Sequence, residues 1–152
     1  MRKTAFFPGS FDPFTKGHED IVLRALTLFD EVVIGIGQNS NKSRYFSLDK
    51  MKHYIETTFK DKPVRVVTYQ NLTANVAKEV GAKFIIRGLR NTTDFEYENS
   101  ISQVNRHINQ ELETVFLITS PHLAPISSTI IRDLHRYGSE IGEYLPYTLD
   151  GI

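Results

Sequence analysis

Pro8-Gly9-Ser10-Phe11-Asp12-Pro13-Phe14-Thr15-Lys16-Gly17-His18 gathers the residue types best suited to chemistry. A hydroxyl at Ser10 and an imidazole at His18 stand near the two ends of one loop, which two prolines and two glycines shape. The apolar run Thr4 to Phe7 leads in, and Ile21, Val22, Ala25, Leu26 and Phe29 lead out at helical spacing. The stretch is therefore predicted to be a strand–loop–helix turn. Gly9 predicts close approach of the backbone to a ligand, and Gly17 the same at the helix entrance. A new helix offers unpaired N–H groups and a partial positive charge, and His18 falls in its first turn, facing the same anion. The chemistry implied is phosphate binding. Thr-x-Gly-His is too short to carry that alone, and a histidine at a helix start reads equally as a solvated surface residue. Its place between a strand and a helix favours the phosphate site.

The elements that position this loop follow from hydrophobic pattern. Glu31 to Gly37 is a continuous apolar, β-branched run, as expected of a strand buried on both faces of a parallel sheet. Gly35 and Gly37 lack the third glycine of a dinucleotide fingerprint and read as strand-interior glycines. Ser47 is predicted to cap a helix through Leu48, Met51, Ile55 and Phe59; with Lys50 it resembles a Ser–Lys nucleophile pair only superficially. Val64 to Tyr69 is a third strand, and Thr73 to Val80 a short helix stopped by Gly81. Lys83 to Gly88 forms a fourth strand, followed by a helix from Asp94 with Tyr97, Ile101, Val104 and Ile108 at helical spacing. Thr114 to Ile118 is a fifth strand, and Ser127 or Ser128 caps a last helix ending near Gly138. Strict alternation predicts one domain over 1–152, of α/β class: a Rossmann-like, doubly wound, parallel five-stranded sheet with helices on both faces.

Ligands bind such sheets beyond the carboxyl ends of the strands. Ser10 to His18, Lys42, Thr73, Arg87 to Arg90 and Ser127 to Thr129 each follow a different strand, so separate loops converge on one rim. The rim holds His18, Lys42, Arg87, Arg90 and two helix starts, with Asp12 as its main carboxylate. Taken singly, each base reads more readily as a solvated or salt-bridged surface side chain, and Ser127-Ser128-Thr129 equally as a simple cap. Their coincidence on successive strand ends points to a polyanion carrying several phosphates. Walker A, Ser–His–Asp and metal-cluster patterns are absent, which leaves phosphoryl or nucleotidyl transfer, a chemistry of positioning and charge stabilisation.

Composition narrows the classes further. Lys+Arg and Asp+Glu number 18 each, so the net charge is zero and a dedicated nucleic-acid binder is disfavoured. The absence of cysteine excludes disulfides and thiolate chemistry. Neither a signal peptide nor a membrane span is predicted, and the expected location is cytoplasmic.

The Pro8-Gly9-Ser10-Phe11-Asp12-Pro13 and Thr15-x-Gly17-His18 motifs occur in register with Lys42 and Arg87-Gly88-Leu89-Arg90. Asp94-Phe95-Glu96-Tyr97-Glu98 and Ile126-Ser127-Ser128-Thr129 with Arg132 complete the series. In these the chain resembles the bacterial phosphopantetheine adenylyltransferase family, of the nucleotidyltransferase superfamily with the T/H-x-G-H motif. The resemblance covers Thr4 to about Leu145. It implies transfer of AMP from ATP to 4′-phosphopantetheine, giving dephospho-coenzyme A and pyrophosphate, with Mg²⁺ carried by ATP and no protein metal ligand. It further implies His18, Lys42 and Ser10 as catalytic, and Ser10, Lys42, Thr73 and Arg87 as acceptor-binding. ATP would be met by Ser10, Phe11, His18, Gly88, Leu89, Arg90 and Glu98, and by Leu123, Ala124, Pro125, Ile126, Ser127, Ser128 and Thr129. A homohexamer and feedback by coenzyme A also follow from the resemblance. The sequence departs from the family at Ser10, where threonine is common, and at Thr73, where an apolar residue is expected. Two other readings compete: a related adenylyl- or cytidylyltransferase with a different small acceptor, and a non-catalytic nucleotide sensor.

Overall fold

The computed structural model describes residues 2–39 and 41–149. Five parallel strands, β1 (Thr4–Gly9), β2 (Glu31–Gly37), β3 (Val64–Tyr69), β4 (Phe84–Leu89) and β5 (Glu113–Ile118), lie in the order β3-β2-β1-β4-β5. Between and after them come α1 (Lys16–Ala25), α2 (Leu48–Thr58), α3 (Thr73–Glu79), α4 (Thr92–Ile108) and α5 (Ser128–Arg136). This is the doubly wound α/β sheet that the alternation predicts. One face packs Phe7, Val32, Ile34 and Ile86 against Val22, Met51, Ile55 and Ile131. The other packs Phe6, Val33 and Ile85 against Ala74, Val76 and Ala77 of α3. Each large apolar side chain so buried contributes about 1.5–3 kcal/mol.

Gly35 has a packing reason: a β-carbon there would stand 2.3 Å from the Phe6 ring. Gly81 and Gly138 follow α3 and α5 at φ 79° and 86°, the left-handed conformation that stops a helix. Ser47 accepts the Lys50 N–H and Ser127 the Ile130 N–H, so both serve as N-caps. The fourth helix begins earlier than its apolar pattern indicates, because Asn91 takes the capping role and accepts from the Asp94 N–H at 2.9 Å.

The sheet's strand order reverses between β1 and β4. β1 pairs with β2 over six residues, Thr4 to Gly9, but with β4 only at Ala5–Phe84 and Phe6–Ile85. Beyond Phe6 and Ile85 the two central strands part, and a crevice opens at their carboxyl ends. Arg87 of β4 crosses it, donating from Nη1 to the Pro8 carbonyl of β1. Open parallel sheets bind ligands at such a switch point.

Candidate active site

Two cavities of about 350 and 440 Å³ flank this crevice. The first is lined by Thr15, Gly17 and His18 from the α1 entrance, Gly88 and Arg90 from β4 and beyond, and Leu123, Ile126, Ser127, Ser128 and Thr129 before and within α5. The second is lined by Pro8, Gly9 and Ser10 after β1, Gln38 and Asn39 after β2, Tyr69 and Thr73 after β3, and Ile101, Ser102 and Asn105 of α4. Arg87, Tyr97 and Glu98 line both. The loops predicted to converge do so, but on two chambers with a shared wall.

That wall is built around one ion pair. Arg87 Nη2 donates to Glu98 Oε1 at 2.7 Å, and Nε reaches both carboxylate oxygens at 2.9 Å. The Glu98 side chain is only 7% exposed, so its charge depends on this fork. Glu98 therefore meets the first cavity as the anchor of an arginine. Arg90 is likewise oriented, by Asp94: Nε and the backbone N–H both donate to Oδ2, at 3.0 and 2.9 Å. Burial works to raise the Asp94 pKa, but the Arg90 hydrogen bonds and the charges of Arg90 and Arg87 outweigh it and hold the carboxyl below its ordinary range.

The tautomer of His18 follows from its partners. The Thr15 N–H donates to Nδ1 at 2.9 Å, and an amide can only donate, so the ring proton sits on Nε2. Thr15 Oγ1 in turn accepts from the Gly17 and His18 N–H groups at 3.1 and 3.3 Å, closing a reciprocal cap. Phe7, Phe11 and Phe14 surround the ring at centroid distances of 6.2, 5.0 and 5.3 Å. Burial first, then the guanidinium charges of Arg87 and Arg90, lower its pKa to about 3. Near neutrality His18 is an uncharged imidazole with a donor on Nε2 and its other nitrogen occupied. It can hydrogen-bond an oxyanion but is poorly suited to take a proton.

Five successive carbonyls of the phosphate loop, Ser10 to Phe14, are each taken by a side chain from elsewhere in the chain. Arg44 donates to the carbonyls of Ser10 and Phe11. Arg132 takes that of Asp12 at 2.7 Å, Ser128 that of Pro13 at 2.8 Å and Tyr147 that of Phe14 at 2.7 Å. None of these tethers shows a sequence signal, because partners 33 to 133 residues apart leave no periodic trace.

Several sequence expectations change. Gly9 does line the second cavity, but a β-carbon on it would also lie 2.8 Å from the Phe11 ring. Phe11 is 3% exposed, supports the His18 ring and lines neither cavity. Asp12, expected on the rim, is buried and accepts the Tyr45 and Phe46 N–H groups, each at 2.8 Å. Leu89, Ala124 and Pro125 lie beside the first cavity's residues without lining it. Lys42 is exposed on the loop after β2 and lines neither chamber, although its N–H donates to the carbonyl of Asn39, which lines the second. Ser10, Thr73, Arg87, His18, Gly88, Arg90 and Ser127 to Thr129, from the strand-end argument, stand on the walls, as do Glu98, Leu123 and Ile126, from the resemblance. Gln38, Asn39, Tyr69, Ser102 and Asn105 are wall residues that sequence reasoning missed. Asn105 lies two helical turns beyond Glu98, and α4 buries both polar residues, but nothing in the sequence marks that face as the buried one. The apolar stripe of the same helix, Tyr97, Ile101, Val104 and Ile108, is 38–67% exposed.

No helix among the described residues is long and apolar enough to cross a membrane. Residues 6–134 match the cytidylyltransferase-like family. The chain is 61% identical to a phosphopantetheine adenylyltransferase of Cytophaga hutchinsonii over 98% of this chain and 100% of that one. It is 53% identical to the protein of the same name from Flavobacterium johnsoniae, over 96% and 95% of the two chains. Among solved structures, a bifunctional NMN adenylyltransferase/ADP ribose pyrophosphatase from Francisella tularensis, complexed with AMP and a manganese ion, superposes with a TM-score of 0.71. It is 19% identical and aligns over 98% of this chain and 46% of its own length, a likeness of fold. The chain thus belongs to the cytidylyltransferase-like family and, within it, to the phosphopantetheine adenylyltransferases.

Proposed function

We propose that the first cavity receives ATP, the second receives 4′-phosphopantetheine, and AMP is transferred where the two meet at Arg87. The observation that carries this reading is the shared wall: two chambers separated by one ion-paired arginine, with a neutral imidazole donor facing the first. An acceptor phosphate oxygen attacks the α-phosphorus of ATP in line. The bond from that phosphorus to the bridging oxygen breaks, and its electron pair leaves with pyrophosphate. The acceptor's second pKa is about 6, so it is largely ionised near neutrality and needs no protein base. Nε2–H of His18 stabilises charge growing on the α-phosphate. The N-termini of α1 and α5 and Arg90 meet the triphosphate, with Ser127 to Thr129 at the start of α5 and Gly88, Leu123 and Ile126 beside them. Ser10, Arg87 and Thr73 receive the acceptor. Lys42, exposed outside both chambers on the turn its N–H forms with Asn39, would act on the reacting phosphates by turning in from that loop.

Mg²⁺ would enter as part of the nucleotide substrate and would offset the charge of its phosphates. Among the described residues no three of His, Cys, Asp and Glu gather into a metal-holding group. Asp94 and Glu98, the carboxylates of the first cavity, are engaged by arginines. Pyrophosphate release from MgATP should require 4′-phosphopantetheine and be absent with nicotinamide mononucleotide or glycerol phosphate. Comparable turnover with either rival acceptor assigns a different transferase. Tight ATP binding with no pyrophosphate from any acceptor makes the chain a sensor.

The exposed stripe on α4 supports assembly into a homohexamer, because isolated apolar side chains are ordinary on a surface but four in register on one helix are not. Coenzyme A, which contains the acceptor arm, would bind in the second cavity and provide feedback. Light scattering should give about six times the 17.4 kDa chain mass, and Val104→Glu should reduce it. A monomeric wild type would overturn the assembly.

A further inference from the structure

Of the side chains that hold the Ser10 to Phe14 carbonyls, Ser128 lines the first cavity and the others line neither, and one of these others carries the largest share. Arg132, Ser128 and Tyr147 each take one loop carbonyl, whereas Arg44 takes two in succession, Ser10 and Phe11. Arg44 Nε donates to the Phe46 carbonyl of its own loop at 3.1 Å, so one guanidinium joins the segments after β1 and β2. Asp12 returns the link by accepting from Tyr45 and Phe46, and lies 3.7 Å from Arg44. Phe11, between the two clamped carbonyls' planes, has φ 46°. A non-glycine residue resists that left-handed conformation, so its carbonyl direction needs an external hold. Arg44 and Asp12 line neither cavity. Of the residues they hold, Ser10 lines the second cavity, and Tyr45 and Phe46 lie farther along the loop whose Gln38 and Asn39 line it too. Of the groups that Arg44 holds, none lines the first.

We propose that Arg44 is a positioning residue for the acceptor, holding the Ser10 and Phe11 carbonyls outward so that the Ser10 hydroxyl and adjoining backbone meet the incoming phosphate. A loop that receives an anion must present N–H groups and hydroxyls to it, because a carbonyl turned inward repels the same charge. Arg44 enforces that orientation from behind and fixes the spacing between the two loops that border the acceptor. The inference rests on reading the second cavity as the acceptor site.

The test is pyrophosphate release by the full chain, with each substrate varied against saturating concentrations of the other. Arg44→Ala should raise the KM for 4′-phosphopantetheine by about tenfold or more, the size of one lost charge-assisted hydrogen bond, while the KM for ATP stays within about twofold. Arg44→Lys keeps the charge but not the fork, so it should give an intermediate acceptor KM. Millimolar ethylguanidinium should partly restore Arg44→Ala and leave Arg44→Lys unchanged. A merely structural role would lower the yield and melting temperature without separating the two KM values. An unchanged acceptor KM in Arg44→Ala, or equal rises for both substrates, would overturn the proposal. Should Arg44→Ala not fold, Arg44→Lys decides, and a wild-type acceptor KM in that variant overturns it. A wild type that releases no pyrophosphate with 4′-phosphopantetheine instead overturns the acceptor assignment itself.

Discussion

His18→Ala is expected to lower kcat by at least about 10²–10³-fold, the usual loss when one transition-state donor is removed. Both substrates should still bind within a few-fold of normal, because Arg87, Arg90 and the helix starts remain on the walls. The defect belongs to kcat, since the charge that Nε2–H meets develops only in the transition state. It should persist above pH 8: the Thr15 N–H occupies Nδ1 and the ring is neutral, so no lost base exists for alkali to replace. Recovery of near wild-type kcat at high pH would show His18 to be a proton acceptor. The same variant gives a second readout. The folded pKa of about 3 lies below the ordinary imidazole value of 6.5, so the unfolded chain binds this proton first and acid favours unfolding. Between those two values His18 should make wild-type stability fall with decreasing pH by about 1.4 kcal/mol per unit, and His18→Ala should lose that contribution. Denaturant titrations of both proteins from pH 7 to pH 4 measure it, and identical slopes would contradict a buried, uncharged imidazole.

What could be read from sequence here is what repeats or sits next in line. Strands β1 to β5 announce themselves as short apolar runs, β-branched in β2 and β3, and their alternation with helices fixes which loops share a rim. Ser47 and Ser127 cap where a polar residue precedes an apolar period. The rest of the site depends on orientation at a distance. Asp12 looks like a rim carboxylate until the chain folds and places Tyr45 and Phe46 amides against it. Phe11 sits inside the motif yet turns its ring to His18, because φ 46° points it inward. On α4 the pattern inverts: the apolar residues that identify the helix face outward, while Glu98 and Asn105 are buried. A periodicity argument finds the helix but not which side the site uses, because both reach it: Tyr97 and Ile101 of the stripe line the cavities, as do Glu98 and Asn105.

Arg87→Met should abolish turnover and destabilise the fold, and the two effects can be separated. Removing the guanidinium strands the Glu98 carboxylate, 7% exposed, without the fork that solvates it. Breaking a buried pair from one side costs about 3–5 kcal/mol; the Arg87 side chain is 31% exposed, so the lower end, about 3 kcal/mol, is expected. It also frees the Pro8 carbonyl and removes the cation between the two cavities. Replacing both partners, as Arg87→Met with Glu98→Leu, removes the stranded charge and should recover most of the stability, since an apolar pair of similar volume often substitutes for a buried ion pair. Activity should not return with it. The cation that bridges the parted ends of β1 and β4 is also the charge that lets one polyanion approach another, and a methionine provides only the packing. Unfolding midpoints and pyrophosphate release for the single and double variants make the comparison. A double variant that is both stable and active would reduce Arg87 to a structural strut, and the shared wall would no longer mark the place of transfer.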